Sequence, residues 1–225
     1  LVVALFFVLA QLLSFLAFKI GDVSVAIPVM GSKVILVALF TTLLGVGSVP
    51  ASLWIAAVLS AVGIAFLNQK GQSRHEHVLR TVWLALAAAA SYAIFDVLVM
   101  SWAPQWGVGR FLPLVMIMSA LLSITFLPFS KKQQSDENRR SHRPLYFGAF
   151  FIALQALILV SALGIYGEAT AINVIYSTRG LWSILAVWFI GHWFANTERT
   201  QGGTVFRARL IGAVCLSAAL VLVFL

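Results

Sequence analysis

Eight apolar runs follow one another along the chain: Leu1 to Phe18, Val23 to Leu44, Ala51 to Leu67, Val82 to Met100, Phe111 to Phe129, Leu145 to Ile165, Ala169 to Trp193 and Leu210 to Leu225. None alternates apolar and polar positions in the manner of a barrel strand. A helix crossing about 30 Å of hydrocarbon needs about 20 mostly apolar residues, and within lipid each helix must satisfy its own backbone groups. The pattern therefore predicts an all-α polytopic membrane protein in which eight transmembrane helices are present. Between the runs, Ser130 to Arg143 and Asn196 to Gly203 are polar and read as solvated loops. Ala103 to Gly109 combines proline and glycine, so a helix-breaking loop is expected there, with Trp102 and Trp106 at the membrane interface. Pro28 is expected to kink the second helix just below Lys33, an effect its counterpart Val174 cannot have.

Composition strengthens this picture. With 61% hydrophobic and 10% charged residues, the chain is too apolar to close around one soluble core. The net charge of +8 would suit nucleic acid, but its distribution argues for a membrane instead. When loops are assigned to alternate sides, twelve of the 15 lysines and arginines fall on one side and only Arg110 on the other. The positive-inside rule makes the richer side cytoplasmic, places Leu1 and Leu225 outside, and suits the cell membrane, inner or plasma. The lone Cys215 has no internal partner for a disulfide.

One segment is written twice. Gly21 to Lys33, GDVSVAIPVMGSK, returns 146 positions later as Gly167 to Arg179, GEATAINVIYSTR, with glycine, acid, hydroxyls and cation in register. The offset divides the chain into residues 1–69, the last three helices of a first repeat, and residues 80–225, all five helices of a second. It also places the start of the first repeat about 66 residues before Leu1, room for two more helices and a total of ten. An odd number of helices per repeat inverts one copy relative to the other, a plan that puts a substrate site near the bilayer midplane.

Lys33 and Arg179 stand deep in their runs, where a charge is costly and therefore functional by default. Together they can hold a carboxylate or phosphate, Arg179 bidentately and Lys33 as a point charge. Ser32 and Thr178 precede them, and Tyr176 lies one turn before Arg179, so these three complete the candidate binding set. Asp96 shares a helix face with Tyr92 and is either a proton-coupling carboxylate or the counter-ion of one cation. Asp22 and Glu168 open the two cation-bearing helices and complement their dipoles, with Ser24 or Thr170 as candidate N-caps. Nothing in the chain points to catalysis, a cofactor or a metal: His75 and His77 lack a third ligand. The expected partners are the bilayer and an anionic small molecule, with a homodimer as an option and no nucleic acid.

The stretches LLSFLAFKIGDVSVAIPVMGSKVILVALFTTLLG with SLWIAAVLSAVGIAFL, and LGIYGEATAINVIYSTRGLWSILAVWFIG with RLIGAVCLSAALVLV, resemble the ends of the two EamA repeats of the drug/metabolite transporter superfamily. The resemblance implies an alternating-access carrier with a central cavity between two inverted five-helix halves. Here Lys33 and Arg179 stand where that family usually has proline. Val46 and His192 replace the glutamate that commonly follows the glycine at the end of that helix. Basic residues at these places are similar to the sugar-phosphate translocator branch, so the expected function is transport of a small organic anion or phosphorylated metabolite. The alternative expectation is a proton-coupled drug or metabolite exporter driven by Asp96.

Overall fold

Every regular element in the computed structural model is a helix. It describes residues 1–20, 23–67, 78–126, 143–179, 182 and 203–224. Among these residues the order is α1 (Val2–Ile20), α2 (Val23–Gly31), α3 (Lys33–Leu43), α4 (Ala51–Leu67), α5 (Val78–Trp106), α6 (Val108–Ile124), α7 (Arg143–Tyr166), α8 (Ala169–Ser177) and α9 (Gly203–Val223). Four apolar stretches are long enough to cross a membrane: Val2–Ile20, Val25–Leu43, Val78–Trp106 and Tyr146–Tyr166. Ala51–Leu67, Val108–Ile124 and Leu210–Val223 are apolar but shorter. Asp22, the pair His75 and His77, His192 and the polar linkers across 130–142 and 196–202 lie outside the described residues.

Two element boundaries differ from expectation. The loop foreseen over Ala103 to Gly109 is a single residue, because α5 continues to Trp106 and α6 starts at Val108. Proline's φ is compatible with a helix, and near a helix end its missing N–H costs only one bond, so Pro104 is carried inside α5. The reversal falls to Gly107, at φ 79° and ψ 120°, a region closed to most side chains. The second expected helix, in turn, is divided at Ser32 into α2 and α3, while Pro28 stays inside α2.

α5 is the central element, packed against α1, α2, α3, α6, α7 and α8. Its approach to α1 and α2 runs over alanines: Ala17, Ala26 and Ala85 form one fully buried cluster. Small residues let helix backbones approach closely enough for dispersion to hold them without a hydrophobic drive. A larger cluster gathers Val3, Val37, Phe95, Val97, Phe111 and Leu163 from five helices around α5. A separate cluster joins Val34 of α3, Ala56 and Ala57 of α4, Val174 of α8 and Ala219 of α9. By contrast, α7 turns Phe147, Phe150, Phe151, Ile152 and Ile158 outward, each more than half exposed. Hydrocarbon tolerates such a face and water does not.

Candidate functional site

The two apolar clusters meet along a polar seam. Asp96 lies on α5 between Phe95 and Val97 of the larger cluster, whereas Lys33 and Asn173 immediately precede Val34 and Val174 of the other. The Lys33 ammonium lies 2.7 Å from Asp96 Oδ2, with Lys33 15% exposed and Asp96 1%. Asn173 Nδ2 donates to the same Oδ2 at 2.7 Å and to the Ala169 carbonyl at 2.9 Å. A buried charge is costly without partners, and here a lysine and an amide both satisfy one carboxylate oxygen. Asn173 Oδ1 is buried and makes no hydrogen bond.

Tyr92, one turn before Asp96, places its ring 5.5 Å from the Lys33 ammonium, within cation–π range. Phe7 of α1 packs on it edge-on and also against Phe95, and the Tyr92 hydroxyl meets Ser14 of α1. These contacts tie α1, α3, α5 and α8 to one charge pair. Tyr92 and Asp96 both meet the Lys33 ammonium, so they share a face as expected, and Asp96 is paired with Lys33.

Arg179 is placed differently. It is exposed and has no acid within ion-pair distance among the described residues. Its Nη1 donates to the Tyr176 hydroxyl at 2.7 Å and its guanidinium sits 4.5 Å from that ring's centroid. Gln155 of α7 donates to the same hydroxyl. Tyr176 and Gln155 line an open groove of about 410 Å³ between α7 and α8, whose other walls are apolar: Ile172 and Ile175 of α8, and Phe151 and Ile158 from the outward side of α7. Arg179 touches this groove only through Tyr176. α8 links the two cations: its Asn173 bonds the carboxylate that holds Lys33, and one turn later its Tyr176 holds Arg179.

The residues before the cations show the same local geometry twice. Ser32 has φ −62° and ψ −12°, and Thr178 has φ −64° and ψ −13°. Each backbone N–H bonds the carbonyl three residues back, Ser32 to Val29 at 3.0 Å and Thr178 to Ile175 at 3.1 Å. Each hydroxyl donates to that same carbonyl at 2.7 Å. These are tight turns of the kind that interrupt a helix at a hinge. The expected asymmetry between Pro28 and Val174 does not extend to this interruption, which occurs in both segments, four residues past those positions. Ser32 and Thr178 spend their hydrogens on their own helices, leaving lone pairs for any further contact.

At the start of α8, the N-cap is Glu168 with no side-chain cap bond, and Thr170, foreseen as a candidate, is instead a buried hydroxyl without a hydrogen-bond partner. The first helical N–H, that of Ala169, bonds Met100 Sδ at 3.4 Å. Three contributors were missed from sequence: Asn173, Gln155 and Ser14. Asn173 left a signal, a lone amide inside an apolar run and within the repeated segment. Replacing it with leucine removes a charge-assisted bond to Asp96 together with an unpartnered oxygen. The expected net loss is about 1 to 2 kcal/mol, read as a lower unfolding temperature in detergent.

No family model matches the chain, and no curated protein matches it. Among solved structures, one described only as the crystal structure of a protein superposes with a TM-score of 0.61 at 15% identity, over 99% of this chain and 75% of that one. A likeness at this identity defines a shared fold.

Proposed function

We propose that this protein is a secondary, alternating-access transporter that carries a small organic anion or a phosphorylated metabolite through a central site flanked by Lys33 and Arg179. In this reading it is a polytopic protein of the inner or plasma membrane, built on the EamA plan of two inverted five-helix repeats. The observation that carries the proposal is Arg179, without an acid partner among the described residues, bonded to the Tyr176 hydroxyl that with Gln155 lines an apolar groove. Binding sites for organic ligands combine such an apolar wall with a few convergent polar groups. The arginine takes the anionic head, and the groove takes the carbon skeleton. Matching turns at Ser32 and Thr178 supply hinge points beside both cations, as discontinuous helices do in carriers. A proton-driven exporter of cations is less well supported, since such cargo would have to displace Lys33 from Asp96.

Uptake by proteoliposomes tests the reading, using radiolabelled phosphate monoesters, dicarboxylates and quaternary amines. At least one anion should enter, and Arg179→Ala should slow it by about tenfold or more, the scale of one charge-assisted contact. Lys33→Ala should be paired with Asp96→Asn to avoid stranding a buried carboxylate. Uptake of amines alone, or anion uptake indifferent to Arg179→Ala, would refute the assignment.

A further inference from the structure

Lys33 cannot serve an incoming anion while it is held by Asp96, and this fixes what must accompany the cargo. We propose that the protein binds a dianion together with one proton: protonation of Asp96 frees the Lys33 ammonium, which then joins Arg179 around the anion. The inference rests on the anion-transport reading and adds its coupling ion and the charge of its cargo.

The charges at the site are few. With Asp96 ionised, Lys33 is neutralised at 2.7 Å, and of the two cations at the site Arg179 stays without an acid among the described residues. With Asp96 protonated, two cations are available and only a dianion, such as a phosphate monoester or a dicarboxylate, balances them. Asp96 is 1% exposed, and a charge buried there without a partner is costly, so Lys33 can leave it for the anion only as a proton takes the lysine's place. Proton and anion binding are then linked, each favouring the other by the same factor. The neutral acid would also have a place for its hydrogen. Asn173 already touches Oδ2 through its amide nitrogen, while its Oδ1 is buried, without a hydrogen bond, and able to accept one.

The proton added to Asp96 is lost again when the carboxylate recaptures Lys33 and the anion leaves. No covalent bond of the cargo changes. The titratable groups around Asp96 are Lys33 from α3, Tyr92 one turn away on α5 and Tyr176 from α8, with Arg179 beyond, on Tyr176. α2 offers none among the described residues, and those on the other packed helices stand at or near helix ends: Lys19 on α1, Arg110 on α6, Arg143, Tyr146 and Tyr166 on α7, and Glu168 before α8.

Sulfate is the probe of choice, because its charge is constant across the relevant pH range and any proton taken up must go to the protein. Purified wild-type protein in weakly buffered detergent should take up close to one proton per sulfate bound, seen as alkalinisation of a pH dye. Sulfate should also bind about tenfold or more tightly at about pH 5.5 than at about pH 7.5, and Asp96→Asn should bind it equally at both. The dye measurement on the wild type keeps the test valid should the variant fold poorly. Sulfate binding that needs Arg179 but takes up no proton and ignores pH overturns the coupling and leaves the anion site standing. Sulfate binding unaffected by Arg179→Ala, or absent at both pH values, overturns the anion site and the coupling with it.

Discussion

Asp96→Ala will destabilise the protein by about 3 kcal/mol, and Lys33→Met added to it will restore most of the loss. The single change leaves the Lys33 ammonium facing a seam from which Asp96 and Asn173 had excluded water, and breaking a buried pair from one side typically costs about 3 to 5 kcal/mol. The lower end applies because Lys33 keeps 15% of its surface exposed and can draw some solvation from its free side. Removing both charges costs far less, since methionine fills the lysine's volume and nothing charged is left behind. Thermal unfolding in detergent should show a drop on the order of 10 °C for the single variant and a few degrees for the double, by the usual conversion for chains of this length. Equal losses in the two variants would mean that the 2.7 Å contact contributes no coupling energy. The same comparison bears on function: Asp96→Ala should be partly rescued by added sulfate, which offers the stranded lysine a new counter-ion, while Asp96→Ala/Lys33→Met should not respond.

That the pair joins Lys33 to Asp96 was only half legible in the sequence. The apolar runs announced an all-helical chain, because lipid-scale helices repeat one requirement over about 20 residues. Boundaries were read less well where one residue decides: proline at 104 looked like a breaker, yet only Gly107 leaves helical space. The deep ionisable residues were visible as costly exceptions, but whether Asp96 meets Lys33 or Arg179 depends on how α3, α5 and α8 pack, which no spacing within one helix encodes. Asn173 was overlooked because an amide costs less than a charge and stands out less among apolar neighbours. The turns at Ser32 and Thr178 were expected as a proline effect in one segment, whereas both segments turn there with a hydroxyl bonded to the carbonyl three residues before. The likeness of the two segments in sequence was therefore a better guide to local geometry than the one proline in which they differ.

Gly212→Val will be the most damaging substitution outside the polar seam, and Gly63→Ala, at the same helix crossing, will be much milder. α4 and α9 pack closely where these two glycines meet. A Cβ on Gly212 would stand 2.7 Å from the Gly63 carbonyl oxygen and 2.9 Å from Leu67. The carbonyl belongs to a helix ladder and cannot step aside, so the helices must separate. A Cβ on Gly63 would leave the Gly212 carbonyl oxygen 3.0 Å away, a looser approach to backbone, while the buried Leu216 side chain at 2.8 Å would have to shift. Overpacking costs typically about 1 to 3 kcal/mol and more where backbone is involved, while alanine recovers up to about 1 kcal/mol of helix propensity over glycine. Gly212→Val should then lose about 3 kcal/mol or more and Gly63→Ala about 1 kcal/mol, measured by thermal unfolding in the same detergent. The damage should also reach the site. Ala219, two turns beyond Gly212, shares a cluster with Val34 and Val174, the residues that follow Lys33 and Asn173. Driving α9 away from α4 loosens the wall behind both partners of Asp96, so Gly212→Val should weaken sulfate binding while Gly63→Ala leaves it near wild type. If both variants bind sulfate normally although only one is destabilised, the crossing supports the fold without setting the geometry of the charge pair.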